Sequence, residues 1–94
     1  VRIVFTRHAL RRMEERGVTR ENVYEALGEP DELLLDTETG RFIAVKYGAG
    51  LCVVVDAAED MVKIVTVLVN SNLERLVERR KSRGRWAPWL RRQG

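Results

Sequence analysis

With 94 residues, the chain has room for one modest hydrophobic core and none for a second domain. Apolar residues at 45% and charged residues at 33% exclude a disordered chain on one side and a membrane-embedded one on the other, and no apolar run reaches the ~18–20 residues that span a bilayer. The net charge of +3 hides a split: residues 1–74 carry nine basic and thirteen acidic side chains, near −4, whereas residues 75–94 carry eight basic and one acidic, near +7. A basic segment of that kind attracts phosphate backbones, anionic lipid heads or an acidic protein.

Ile3–Phe5 is a short apolar run before Thr6, which predicts a strand leading into a helix cap. Ala9, Leu10 and Met13 recur at helical spacing, and Arg16-Gly17 closes that helix with a basic last turn and a glycine stop. Thr19 caps a second helix with Val23, Ala26 and Leu27 as its apolar stripe and Gly28-Glu29-Pro30 as its end. The period then changes from helical to strand-like. Four segments, 32–36, 41–47, 51–56 and 61–69, are divided by 37–40, Gly48-Ala49-Gly50 and 57–60, which predicts an antiparallel meander with the last two strands central. Asn70, Ser71 and Asn72 offer caps for a third helix with Leu73, Leu76 and Val77 on its apolar side, ended by Ser82-Arg83-Gly84. Residues 85–92 lack a sustained period and contain Pro88, which predicts an extended arm. The fold class is therefore α+β: a short strand, two helices, a four-stranded antiparallel meander and a C-terminal helix, with residues 1–81 as the domain and 82–94 as a basic, tryptophan-containing tail.

Several chemistries lose their usual markers. The chain has no phosphate-binding glycine loop, no dinucleotide fingerprint and no nucleophile elbow. One histidine and one cysteine do not make an ordinary zinc site, so neither metal nor cofactor is expected. Cys52 cannot form an intrachain disulfide and reads as a packed core thiol, and the N-terminal stretch has no secretory signature, so the expected location is cytoplasmic.

The densest local pattern is His8-Ala9-Leu10-Arg11-Arg12-Met13-Glu14-Glu15-Arg16-Gly17-Val18. His8, Arg12 and Arg16 succeed one another at intervals of four, so they share one helix face. An imidazole that shares a helix face with two guanidinium groups is a candidate base set beside cations. The alternative is a histidine that bonds a turn or water, beside arginines that pair with Glu15 or Glu21.

That string, followed by the second capped helix, Glu29-Pro30-Asp31, the 41–47 strand and Val62-Lys63-Ile64-Val65-Thr66-Val67, resembles a family of small uncharacterised prokaryotic domains related to the RelE/ParE toxins. The likeness covers roughly residues 3–69. It implies two N-terminal helices packed on a curved antiparallel sheet and, in RNA-cleaving members, attack of a 2′-hydroxyl on the adjacent phosphate without a metal. On that resemblance His8 is the candidate base or acid, Arg12 and Arg16 are candidate phosphate contacts, and Thr66 is a polar partner on the last strand. Lys46 and Tyr47 join the catalytic set by residue type, and Lys63 is either a phosphate contact or a strand lysine that guards against aggregation. A dense Lys/Arg/Tyr cluster of the RelE kind has no counterpart on this sheet, and ParE-like relatives act on DNA gyrase.

In the C-terminal segment, Arg79, Arg80, Lys81, Arg83, Arg85, Arg91 and Arg92 supply charge for phosphates, and Trp86 and Trp89 supply rings on which bases stack. The same tryptophans could instead dock on the domain or on a second copy. Together these features predict a toxin-like RNA-binding protein, a candidate endoribonuclease, with RNA or the ribosome as partner. The alternative is a non-catalytic protein-interaction module that binds an antitoxin-like protein or a topoisomerase, with a homodimer as a further expectation and no membrane partner.

Overall fold

The computed structural model describes residues 1–89 of the chain. Strand β1 (Arg2–Phe5) ends at Thr6, whose hydroxyl accepts the Ala9 N–H at 3.0 Å and so caps helix α1 (Arg7–Arg16). Gly17 terminates α1 in the left-handed region at φ 68°, and the Val18 N–H reaches back to the Met13 carbonyl at 2.8 Å. Helix α2 (Arg20–Gly28) starts in a reciprocal capping box between Thr19 and Asn22, with bonds of 2.9 and 3.1 Å.

The meander follows as β2 (Glu32–Asp36), β3 (Phe42–Lys46), β4 (Leu51–Ala57) and β5 (Met61–Val69), with a single 3-10 turn at Tyr47–Ala49. All three meander pairings are antiparallel. Helix α3 (Leu73–Ser82) comes next, and a last strand, β6 (Trp86–Pro88), closes the described chain.

Among the described residues the sheet has six strands, in the order β1-β5-β4-β3-β2-β6, and it is mixed. The expected four-stranded antiparallel sheet is thus extended at both edges. β1 lies parallel beside β5, with Arg2 opposite Met61 and Phe5 opposite Ile64, and β6 lies antiparallel on β2, with Trp86 opposite Asp36. β4 is central as expected, while β3 takes the other middle place and β5 sits one position further out.

Consecutive buried residues in the middle strands, Ile43-Ala44-Val45 and Leu51-Cys52-Val53, show that both sheet faces are covered. On one face α1 and α2 bury Ala9, Met13, Val23 and Ala26 against Ala44, Val53, Ile64 and Val67. On the other, α3 buries Leu73 and Val77 against Leu34, Ile43, Val45 and Cys52, with Trp86 completing that layer. The pairing of β4 and β5 slips between Val54 and Val55, leaving Val65 as the extra residue of a bulge. Its carbonyl accepts the Thr6 hydroxyl at 3.0 Å, so the start of α1 is tied to the bulge.

The boundary expected at residue 81 does not separate core from tail. Trp86 is 3% exposed, and Arg85 is bonded to Asp36 on β2. Pro88 fits because it sits at the end of an edge strand, where a missing N–H removes no interior ladder bond.

Candidate nucleic-acid interface

The expected catalytic residues fall in four places. His8 and Arg16 are exposed on α1, and Arg12, half-buried between them, reaches the Glu15 carboxylate at 3.5 Å. These three share a flank of α1, as their spacing requires. Thr66 pairs with Val54, which packs into the α3-side core, so Thr66 belongs to the sheet face opposite the one that α1 covers. The sheet therefore stands between Thr66 and the His8 flank.

Lys46 pairs with Leu51 on the α1/α2 side, and its Nζ donates to the Glu29 carbonyl at 2.7 Å, capping the C-terminal end of α2. Tyr47 turns to the α3 side. Its hydroxyl donates to Glu32, whose other carboxylate oxygen accepts Lys81 Nζ at 2.5 Å, and its backbone N–H is held by Asp31 Oδ2 at 2.7 Å. Burial, and then the Glu32 hydrogen bond, push the Tyr47 phenol well above its ordinary range, so it stays protonated as a structural donor.

Several expected RNA contacts also have internal work. Lys81 pairs with Glu32; Arg85 pairs with Asp36 at 3.1 Å and with Glu38 at 3.3 Å. Arg80 lies over the Trp86 ring at 5.1 Å, and the indole itself is in the core, unavailable for base stacking. Trp89 is 53% exposed, although its ring meets Phe42 edge-on at 5.0 Å. Arg91 and Arg92 lie outside the described residues.

Of the expected C-terminal contacts, those that remain open lie on one side of α3. Arg79 and Arg83 are exposed and, among the described residues, form no ion pair; Arg75, one turn earlier, shares both properties. These three follow each other at intervals of four, Arg75 and Arg79 on α3 and Arg83 at its C-terminal cap, so they form a cationic ridge that rises roughly 6 Å per step along the helix. Beside it, Asn70, Asn72, Arg75, Leu76 and Arg79 line a shallow groove of about 190 Å³ between the end of β5 and α3. Sequence reasoning passed over Arg75, Asn70 and Asn72 in this role. The signal for Arg75 was its spacing from Arg79 and Arg83; for the two asparagines there was none beyond their suitability as helix caps.

Neither a hydroxyl–histidine pair nor a cluster of metal-ligating residues forms among the described residues. What the ridge and groove can do chemically is bind: guanidinium forks match phosphate oxygens, and carboxamides offer donors and acceptors to base edges or sugar hydroxyls.

No curated protein and no solved structure matches the chain significantly. A family model does match, over residues 5–69, from the end of β1 to the end of β5, and the chain accordingly belongs to the family described as a domain of unknown function, DUF4258.

Proposed function

We propose that this chain is a RelE/ParE-like RNA-binding protein that grips the sugar-phosphate backbone with the outer side of α3. The observation that carries this reading is the ridge of Arg75, Arg79 and Arg83, three exposed guanidinium groups with no acidic partner among the described residues. Arginines placed to stabilise the fold pair internally, as Arg85 does; an unpaired row along a helix suits a row of phosphates. The strand-helix-helix-meander order supports the likeness to RelE/ParE proteins. Binding without strand scission is the better-supported form of the activity, because His8, Thr66, Lys46 and Tyr47 do not converge on one point where a 2′-hydroxyl and a phosphate could both sit.

The test is RNA binding by purified protein across a salt series, with the same RNA examined for 2′,3′-cyclic phosphate ends in the presence of EDTA. Binding that weakens steeply with salt, with intact RNA, is the expected result. Salt-insensitive or absent binding overturns the reading, and cyclic ends that vanish in His8→Ala restore a nuclease role for the α1 flank. The half-exposed Trp89 favours the alternative of a protein-interaction module, since aromatic anchors concentrate at protein interfaces.

A further inference from the structure

We infer that the groove beside α3 holds one unpaired nucleotide of an RNA strand, its phosphate between Arg75 and Arg79 and its base on Leu76 with the Asn70 and Asn72 carboxamides at its edge. This rests on the RNA-binding reading above and adds a specific subsite to it. Arg75 and Arg79 are four residues apart on the groove wall, close enough to reach different oxygens of one phosphate.

The two asparagines make the groove more than a charged surface. Asn72 precedes α3, yet its side chain makes no capping bond and no other hydrogen bond among the described residues. Asn70 spends only its Oδ1, which accepts the Asn72 N–H at 2.7 Å, and its amide N–H groups have no partner among the described residues. Donors and an acceptor therefore converge beside two phosphate-binding cations. Leu76, half-buried between them, gives the base an apolar surface, and the flanking guanidinium planes are themselves stacking partners. A base in a duplex hides its pairing edge, whereas a base in a single strand presents it, so the occupant is an unpaired nucleotide.

Fluorescence anisotropy with a short labelled single-stranded RNA, its duplex form and the single-stranded DNA of the same sequence tests this on the full chain. The single-stranded RNA is expected to bind most tightly. Arg75→Gln should weaken it about tenfold and Asn72→Ser severalfold, with unchanged thermal melting, while Arg11→Gln on α1 should bind like the wild type. If Arg75→Gln weakens binding but Asn72→Ser matches the wild type, the nucleotide subsite falls and the ridge reading stands. If both match it, the subsite falls and Arg75 leaves the ridge, whose remaining members Arg79→Gln and Arg83→Gln then test. Preference for duplex or for DNA also overturns the subsite, and no RNA binding by the wild type overturns both.

Discussion

Arg85 Nε sits 3.1 and 3.2 Å from the two oxygens of Asp36, joining the residue before β6 to the end of β2, 49 residues earlier. Oδ1 of the same carboxylate accepts the backbone N–H groups of Glu38 and Thr39 at 2.9 and 3.2 Å. Burial alone would raise the Asp36 pKa; the Arg85 hydrogen bond and the two turn N–H groups outweigh it and hold it below its ordinary value. Because the folded pKa is depressed, this stabilisation is fully present above the unfolded value of about 3.9 and is lost as pH falls through the lower folded value. Asp36→Ala should cost about 1–3 kcal/mol near neutrality. Thermal melts of both proteins at descending pH should show the gap constant above about pH 5 and closing in stronger acid; a gap that widens on acidification would contradict the assignment.

Trp86 makes the C-terminal segment structural. Among the described residues it is one of seven buried in the α3-side core, with Leu34, Ile43, Val45, Cys52, Leu73 and Val77. Trp86→Ala should therefore cost about 3–5 kcal/mol. Truncation after Lys81 removes the indole, the Arg85 anchor and the strand that pairs with β2, and should give a protein that melts far lower or fails to fold. Urea unfolding of the substitution and circular dichroism of the truncation measure this, and native-like melting of both would return residues 82–89 to the status of an arm.

Most of the element order was legible because each boundary has a local cause: Thr6 and Thr19 as caps, Gly17 as a helix stop, and period-2 runs between turns. The two added edge strands were not, because membership of a sheet is decided by a partner far along the chain. Nothing near Arg2–Phe5 announces Met61–Ile64, and nothing near Trp86 announces Asp36. The site was less legible for the same reason. Spacing puts His8, Arg12 and Arg16 on one flank, but it cannot tell that Thr66 faces away, or that Glu32 and Asp36 occupy Lys81 and Arg85. The continuous apolar run Leu51–Val55 did carry the missing signal, since a strand apolar on both faces needs a helix on each.

Gly50 has φ +61°, and a Cβ built there would lie 2.8 Å from the Asn70 carbonyl oxygen. Left-handed backbone alone strains any L side chain, and here the clash is with main chain rather than with a movable side-chain tip. Gly50→Ala should lose about 1–3 kcal/mol. The Gly50 carbonyl also accepts the Asn70 N–H at 3.0 Å, so displacing that segment should disturb the groove as well. Chemical denaturation paired with RNA anisotropy should show both losses together; a stability change within error would mean the turn relaxes freely.

Cys52 is fully buried among Ile43, Val45 and Leu34, and burial pushes its thiol up to about 12. A protonated, inaccessible thiol is a poor nucleophile. The native protein should react with a thiol-specific reagent only as fast as it unfolds, so labelling should accelerate in denaturant and in Trp86→Ala, which weakens the layer that covers it. Rapid labelling of the native wild type would show that α3 lifts from the sheet.

On the RNA-binding reading proposed above, the division between paired and unpaired cations predicts which substitutions alter RNA binding and which alter folding. For single strands, the logarithm of affinity falls with the logarithm of salt by about 0.7 per phosphate neutralised. Arg83→Gln should flatten the slope by about that amount and Arg79→Gln, which shares its phosphate with Arg75, by less, and both should leave the melting temperature unchanged, since neither side chain has an ion-pair partner among the described residues. Lys81→Gln should do the reverse: Glu32 loses its cation and Tyr47 alone remains on the carboxylate, so stability drops while the slope changes little. His8→Ala should alter neither quantity. Binding and melting curves for the four variants settle the point. A flattened slope in Lys81→Gln together with a normal slope in Arg79→Gln would move the RNA path off the outer side of α3 and onto the face that Glu32 and Tyr47 occupy.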